Sequence, residues 1–214
     1  VEQVGSDVHY VKPGDHVITC LSVFCGHCEQ CVTGHLSLCG EDEVNRGPEE
    51  EPRLSQDGQS LEQFARLGSF AEMMLVHEHA VVKIREDMPS AQAALIGCGV
   101  TTGIGAVIHT AKVEPGATVA VIGCGGIGLS TINGAAIAGA SRIIAVDMVA
   151  SKLELARKFG ATDVVDASDG DAVAKVKELT GGGVHYSFEA IGLKVCAEQA
   201  FQMLRIGGTA TVIG

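Results

Sequence analysis

Positive charge is scarce in this chain. Fifteen Lys and Arg face 26 Asp and Glu, a formal net charge of −11 over 214 residues. A surface of that sign repels a phosphate backbone, which sets nucleic acid aside as a partner. Long apolar runs are missing too. No stretch approaches the ~20 uninterrupted apolar residues of a membrane span, so no membrane partner is expected. The opening residues, Val1-Glu2-Gln3-Val4-Gly5, contain no basic segment leading into an apolar one and do not read as a signal peptide. Tryptophan is absent and tyrosine occurs twice, whereas glycine occurs 28 times without a collagen-like period. That balance implies tight turns and close backbone approaches, as α/β folds use them. With 46% hydrophobic and 19% charged residues the chain has the material for a core, which argues against disorder. Both ends, Val1 to Gly5 and Thr209 to Gly214, resemble interrupted strands, so the sequence is expected to be a piece of a longer protein.

Eight cysteines are present, but their spacing does not suggest a disulfide framework. Cys20, Cys98, Cys124 and Cys196 are scattered, while Cys25, Cys28, Cys31 and Cys39 form a C-x2-C-x2-C-x7-C cluster. Four thiolates so close can surround one ion tetrahedrally, and soft sulfur suits zinc in a reducing, cytoplasmic compartment. An iron–sulfur cluster is the competing use of such a run, but Cys39 is followed by Gly40 and not by the proline of ferredoxins. Four protein ligands leave no open position, so this zinc is expected to be structural. His27 and His35 lie within the lobe and read as exposed bystanders.

The first half predicts short strands over Val8–Val11, His16–Leu21, Phe70–Val76 and His79–Ile84, with an acidic, solvated loop over residues 41–60. Beyond about residue 97 the pattern changes. Strands are expected at Thr118–Ile122, Arg142–Asp147, Asp163–Asp166, Tyr186–Ala190 and Gly208–Ile213. Helices alternate with them at Ile127–Ala140, Ser151–Phe159, Ala172–Thr180 and Leu193–Leu204. Strict alternation with continuous apolar strands means a parallel, doubly wound sheet, here one strand short of a full dinucleotide fold.

Gly123-Cys124-Gly125-Gly126-Ile127-Gly128 is a G-x-G-x-x-G turn between a buried strand and a helix, and Asp147 closes the next strand 19 residues beyond Gly128. In such a turn Gly123 permits the bend, Gly125 lets a pyrophosphate approach the backbone, and Gly128 allows close packing. The helix N-terminus offers free N–H groups to the phosphates. A carboxylate at Asp147 accepts ribose hydroxyls and repels a 2′-phosphate, and no Arg follows it, so NAD is favoured over NADP. The plainer role for Asp147 is a helix cap. Lys152 either reaches the same ribose or is an ordinary surface lysine.

Taken in order, the lobe, Gly68-Ser69-Phe70-Ala71-Glu72, Leu95-Ile96-Gly97-Cys98-Gly99-Val100-Thr101-Thr102-Gly103, the glycine turn and Asp147 resemble zinc-containing medium-chain alcohol dehydrogenases. The segment Gly183 to Gly192 resembles that family's late Rossmann strand. The resemblance implies an α/β fold: a parallel doubly wound Rossmann domain over residues 98–214, plus part of a mainly-β GroES-like catalytic domain over residues 1–97. It implies NAD and two zinc ions in the full-length protein, one structural and one catalytic. It makes Cys98 a ligand of the catalytic zinc, whose other ligands, with the proton relay, would lie upstream of Val1. Thr102 would line the cleft beside the nicotinamide, Ile127 would support its ring, and Leu21 falls in the substrate-pocket region. For each of these a structural role is the alternative: an inert thiol, a capping threonine, a packing residue.

The implied activity is hydride transfer from a primary or secondary alcohol to NAD, with zinc polarising the alcohol oxygen. A small-molecule alcohol or aldehyde and a homo-oligomer are the expected partners. The alternatives are a formaldehyde dehydrogenase acting on a thiol adduct, and a non-catalytic NAD- and zinc-binding fragment. A zinc-binding interaction module fits poorly with the acidic charge and the Cys98 segment, and quinone reductases of the same superfamily usually lack the four-cysteine lobe.

Overall fold

A computed structural model describes residues 1–44 and 49–214. The chain divides into two compact units, Val1–Gly97 and Cys98–Gly214.

The first unit has little regular structure. Strand β1 (Val17–Thr19) is followed by the short helix α1 (Glu29–Val32), the antiparallel pair β2 (Leu54–Gln56) and β3 (Gln59–Leu61), and then β4 (Val81–Lys83) and α2 (Ser90–Leu95). β1 and β4 pair antiparallel, Ile18 opposite Val82. The turn entering β1 is built from Lys12-Pro13-Gly14-Asp15. Gly14 has φ +92°, and the buried Asp15 carboxylate accepts the Lys12 N–H at 3.0 Å and pairs with Lys83 on β4 at 2.7 Å. These bonds hold the Asp15 carboxyl below its ordinary range, the Lys83 contact foremost.

Two expected strands are not formed. Val8–Val11 is irregular because the Glu78 carboxylate, rather than a neighbouring strand, takes the His9 and Tyr10 N–H groups at 3.3 and 3.1 Å. Phe70–Val76 is also irregular, with Phe70, Met73 and Leu75 exposed. An apolar run becomes a strand only where a partner edge meets it, and among the described residues none does. The acidic segment 41–60 is not all loop, since β2 and β3 form a hairpin around Asp57 and Gly58, both at positive φ. Within it, residues 45–48 lie outside the described residues.

The second unit opens with α3 (Thr101–Gly105) and continues β5 (Thr118–Ile122), α4 (Gly126–Ile137), β6 (Arg142–Asp147), α5 (Ala150–Lys158), β7 (Asp163–Asp166), α6 (Ala172–Thr180), β8 (Val184–Glu189), α7 (Lys194–Gln202) and β9 (Leu204–Val212). The five strands form one parallel sheet in the order β7-β6-β5-β8-β9. That is the dinucleotide-fold order 3-2-1-4-5 without its sixth strand. Alternate residues of each strand serve opposite faces. Val119 and Val121 join Leu129 and Ile132 of α4 and Leu153 and Ala156 of α5, whereas Ala120 and Ile122 join Val176 of α6 and Ala200 of α7. Both faces are therefore covered, which is why these strands read as continuous apolar runs.

The helical run Ser90–Ala111 is long and apolar enough to cross a membrane by length and composition alone, although Gln92, Thr101, Thr102, His109 and Thr110 interrupt its apolar residues. Its apolar character has a local cause in α3: a Cβ on Gly103 would come within 2.6 Å of the Ile127 carbonyl and of Ser130 on α4. Small residues let these two helices close on each other.

Candidate cofactor and metal sites

The loop from Cys25 to Cys39 folds back on itself through Gly26 (φ +92°) and Gly34 (φ +86°). Cys28 caps α1, Cys31 lies within it, and Cys39 follows a single 3-10 turn, Leu36–Leu38. The four sulfurs lie within 4.8 Å of one another, with Cys25–Cys31 at 3.8 Å, Cys28–Cys31 at 3.5 Å and Cys28–Cys39 at 4.0 Å. A tetrahedron with Zn–S bonds of about 2.3 Å has edges of about 3.8 Å, so the donor set fits a tetrahedral zinc ion.

Backbone amides support the sulfurs. Cys25 N–H donates to Cys39 Sγ and Cys28 N–H to Cys25 Sγ, each at 3.3 Å. The Glu41 and Cys25 amides hold the Cys39 thiol down to about 7, while burial pushes Cys31 up to about 12. All eight cysteines are unpaired, so no disulfide competes for these sulfurs. The lobe is fastened to its unit by His79, whose Nδ1–H donates to the Phe24 carbonyl at 2.7 Å while its ring stacks on Phe24 with centroids 4.6 Å apart.

His35 is exposed and bonded to Thr33. His27 is exposed, as expected of a bystander to the four sulfurs, but it is paired. Its Nε2 lies 2.5 Å from Glu43 Oε1, and Cys25, His27 and Glu43 bring three potential ligand atoms within 4.8 Å of one another. Glu43 was not readable as a member of this cluster, because it comes from an acidic segment where charge is ordinarily solvated.

In the second unit the glycine turn follows β5 and leads into α4. Gly123 adopts φ +93°, and a Cβ there would lie 2.5 Å from the Ile191 side chain. A Cβ on Gly128 would lie 1.7 Å from the Gly123 carbonyl oxygen, so only glycine lets the turn and helix meet. Gly125 and Gly126, in contrast, face open space. That opening at the N-terminus of a twelve-residue helix is a cradle that fits a pyrophosphate.

Asp147 ends β6 beside this turn. Its Oδ2 accepts the Cys124 N–H at 2.8 Å and its Oδ1 the Val149 N–H at 3.0 Å. Each carboxylate oxygen retains a second lone-pair site, which is what ribose hydroxyls require. The helix-cap role is not formed, since Val149 is the N-cap of α5 and no side chain caps that helix; Asp147 orders the glycine turn instead and can still accept more. Ile127 is half-buried and Lys152 exposed. Burial pushes the Cys124 thiol up to about 12 and the Asp147 charge adds to this, so the cysteine inside the turn is a neutral packing group.

Thr102 is half-buried and lines a cavity of about 460 Å³ together with Thr101, His109, Val212 and Ile213. Cys98 is exposed, and among the described residues no cluster of three metal-binding side chains includes it. Leu21 is exposed as well.

The sequence did not single out Glu189, at the end of β8. It is fully buried, its Oε1 accepts the Ile191 and Gly192 N–H groups at 2.7 and 2.8 Å, and its Oε2 is without a partner. The only signal was an acid closing a strand.

Two family models match this chain: an alcohol dehydrogenase GroES-like domain over residues 1–86 and a zinc-binding dehydrogenase domain over residues 126–214. The probable S-(hydroxymethyl)glutathione dehydrogenase 1 of Schizosaccharomyces pombe is 42% identical over all of this chain, which spans 58% of that protein. Among solved structures, benzyl alcohol dehydrogenase from Acinetobacter calcoaceticus is 36% identical with a TM-score of 0.84, over 100% of this chain and 59% of that one. A zinc-binding dehydrogenase from Sinorhizobium meliloti, described as putative and solved bound to NADP, is 29% identical with a TM-score of 0.77, over 100% of this chain and 58% of that one. With a GroES-like match, a Rossmann-type sheet and a four-cysteine lobe in one polypeptide, the chain belongs to the zinc-containing medium-chain alcohol dehydrogenase family.

Proposed function

We propose that this chain is the structural-zinc and coenzyme-binding portion of an NAD-dependent dehydrogenase that oxidises a hydroxymethyl carbon. On this reading residues 1–97 are part of the catalytic domain and residues 98–214 part of the coenzyme domain. The observation that carries the proposal is the glycine turn. Gly123 and Gly128 are sterically obligatory, Gly125 and Gly126 are open, and Asp147 is bonded into the same turn. Pyrophosphate would sit on the N–H groups opening α4, and the adenosine ribose would meet Asp147. Asp147 supports NAD over NADP, although the Sinorhizobium relative was solved with NADP.

The chemistry supplied by the bound groups is Lewis-acid polarisation of an alcohol oxygen and acceptance of a hydride: R–CH2OH and NAD⁺ give R–CHO, NADH and a proton. The chain's own contribution is positional. Cys25, Cys28, Cys31 and Cys39 would hold the structural zinc, Cys98 would supply one ligand to a catalytic zinc, and Thr102 would line the nicotinamide side of its cavity. A site reduced to one protein ligand holds no catalytic ion, so this chain alone binds NAD without turning over alcohol.

The Schizosaccharomyces relative's name supports the hydroxymethyl adduct of a thiol as substrate, and the Acinetobacter relative's name supports a plain alcohol. A hydroxymethyl carbon is common to both, and the thiol adduct is favoured by the higher identity. The test has two arms. NAD titration of this chain should give saturable binding, and a longer protein carrying it should reduce NAD with S-hydroxymethylglutathione more efficiently than with benzyl alcohol. Absence of NAD binding sinks the coenzyme assignment, and equal or reversed efficiency sinks the thiol-adduct preference.

A further inference from the structure

A four-thiolate site is closed. Once four sulfurs surround an ion, no position remains at which an incoming or departing ligand can bind, and exchange becomes slow. In this lobe Cys25 and Cys31 are 8% and 7% exposed, so an ion reaches those two sulfurs only after it has shed most of its water. Beside them stand two further donors that are open to solvent. The His27 and Glu43 side chains are 67% and 51% exposed, their ligand atoms are 2.5 Å apart, and both lie within 4.8 Å of Cys25 Sγ. Gly26, at φ +92°, turns the chain so that His27 projects from between two of the four cysteines.

We propose that Cys25, His27 and Glu43 form a loading site through which a divalent, borderline-soft metal ion reaches the four-thiolate site. The donor set is one sulfur, one imidazole nitrogen and one carboxylate oxygen, a combination that zinc accepts and that leaves a coordination position for water. The carboxylate and the overall charge of −11 draw a cation to this face from solution. The shared thiolate makes transfer simple. Cys25 Sγ stays bound throughout, while His27 Nε2 and Glu43 Oε1 leave as the sulfurs of Cys28, Cys31 and Cys39 arrive. Each arriving thiol gives its proton to solvent, and nothing is oxidised or reduced. Because Cys25 belongs to both sets, the two sites are stages of one path, and the chain ends with one zinc.

This inference rests on the lobe holding zinc, and its test separates the two. The zinc-loaded chain is mixed with a chromogenic chelator at concentrations where the release rate no longer depends on the chelator. A path that speeds uptake must speed release by the same factor and leave the equilibrium unchanged. The His27→Ala/Glu43→Gln double variant should therefore release its one equivalent at least tenfold more slowly than the parent. Cobalt(II) uptake by the metal-free chain should slow by the same factor, with Kd unchanged and the same final four-sulfur absorption. An ion pair that merely braced the lobe would give the opposite result, faster release and weaker affinity, and that outcome overturns the proposal. Release at the parental rate also overturns it. Should the metal-free chain not regain its fold, the release arm decides alone. A purified parent without zinc overturns the four-thiolate assignment itself, and the loading site with it.

Discussion

The two units reach order by different means. The second unit buries sixteen residues on one face of its sheet and eleven on the other, nearly all aliphatic or small. The principal buried cluster of the first unit is Val23, Cys25, Cys31, Val44, Leu67 and Ala80, so two of its six members are candidate metal ligands. Hydrophobic burial contributes roughly 25 cal/mol per Å², and the first unit has few buried apolar side chains to contribute it. Its order must come from coordination, and that of the second unit from packing.

The largest expected effect breaks this asymmetry directly. Cys28→Ser removes a soft ligand from a site whose binding free energy is also folding free energy, on the order of 10 kcal/mol for structural zinc. Zinc content should fall below a tenth of an equivalent, and amide exchange protection should vanish over residues 20–44. NAD affinity should stay within about twofold of the parent, because a lobe substitution leaves the sheet packing unchanged. Loss of NAD binding together with zinc would show that the two units do not differ in this way.

A complementary change strikes the second unit alone. Gly128→Ala places a methyl group 1.7 Å from the Gly123 carbonyl oxygen, where neither atom belongs to a flexible side chain. Overpacking of this kind costs about 1–3 kcal/mol, and the displaced turn should lose measurable NAD binding while zinc stays at one equivalent. An intact NAD isotherm for this variant would contradict the steric reading of the turn.

A subtler probe of the same turn is Asp147→Asn. One amide oxygen would have to serve two N–H groups, those of Cys124 and Val149, that now have an oxygen each. NAD affinity should fall about tenfold, close to 1.4 kcal/mol, and NADP should bind relatively better as the repelling charge is gone. Calorimetric titration with both nucleotides reads the ratio, and an unchanged preference would remove Asp147 from the coenzyme site.

The asymmetry also governs how much the sequence revealed. In the second unit local pattern and tertiary outcome largely agree. Thr118 to Ile122 is apolar because both faces of β5 are covered, and all five expected strands form, although β9 begins at Leu204, four residues before the expected Gly208. In the first unit the pattern misleads. Phe70 to Val76 has strand composition but meets no pairing edge among the described residues, and Val8–Val11 gives its amides to a side chain 68 residues away. The four cysteines were legible because the ligands of one ion crowd together in sequence. Glu43 and Glu189 were not, since an acid acquires its meaning from neighbours brought by folding: His27 for the one, two backbone amides for the other.

The smallest expected effect lies at the sheet edge of the second unit, where packing gives way to charge. Arg142 on β6 grips Asp163 on β7 through two bonds, Nε to Oδ2 at 2.8 Å and Nη2 to Oδ1 at 2.9 Å, and also reaches the Leu179 carbonyl. That grip, chiefly, holds the Asp163 carboxyl at about 2. An unfolded aspartate titrates near 3.9, so the folded value is depressed. The contribution is then fully present above about pH 4 and is lost as pH falls through about 2. The Arg142 and Asp163 side chains are 36% and 24% exposed, so solvent screening reduces the contribution to about 1 kcal/mol. The check is the urea midpoint of the parent against Asp163→Asn. Their difference should correspond to about 1 kcal/mol at pH 6 and shrink towards zero at pH 2.5. A difference that does not change with pH would mean that Asp163 acts through the shape of its hydrogen bonds, and that charge adds nothing even at the edge of this sheet.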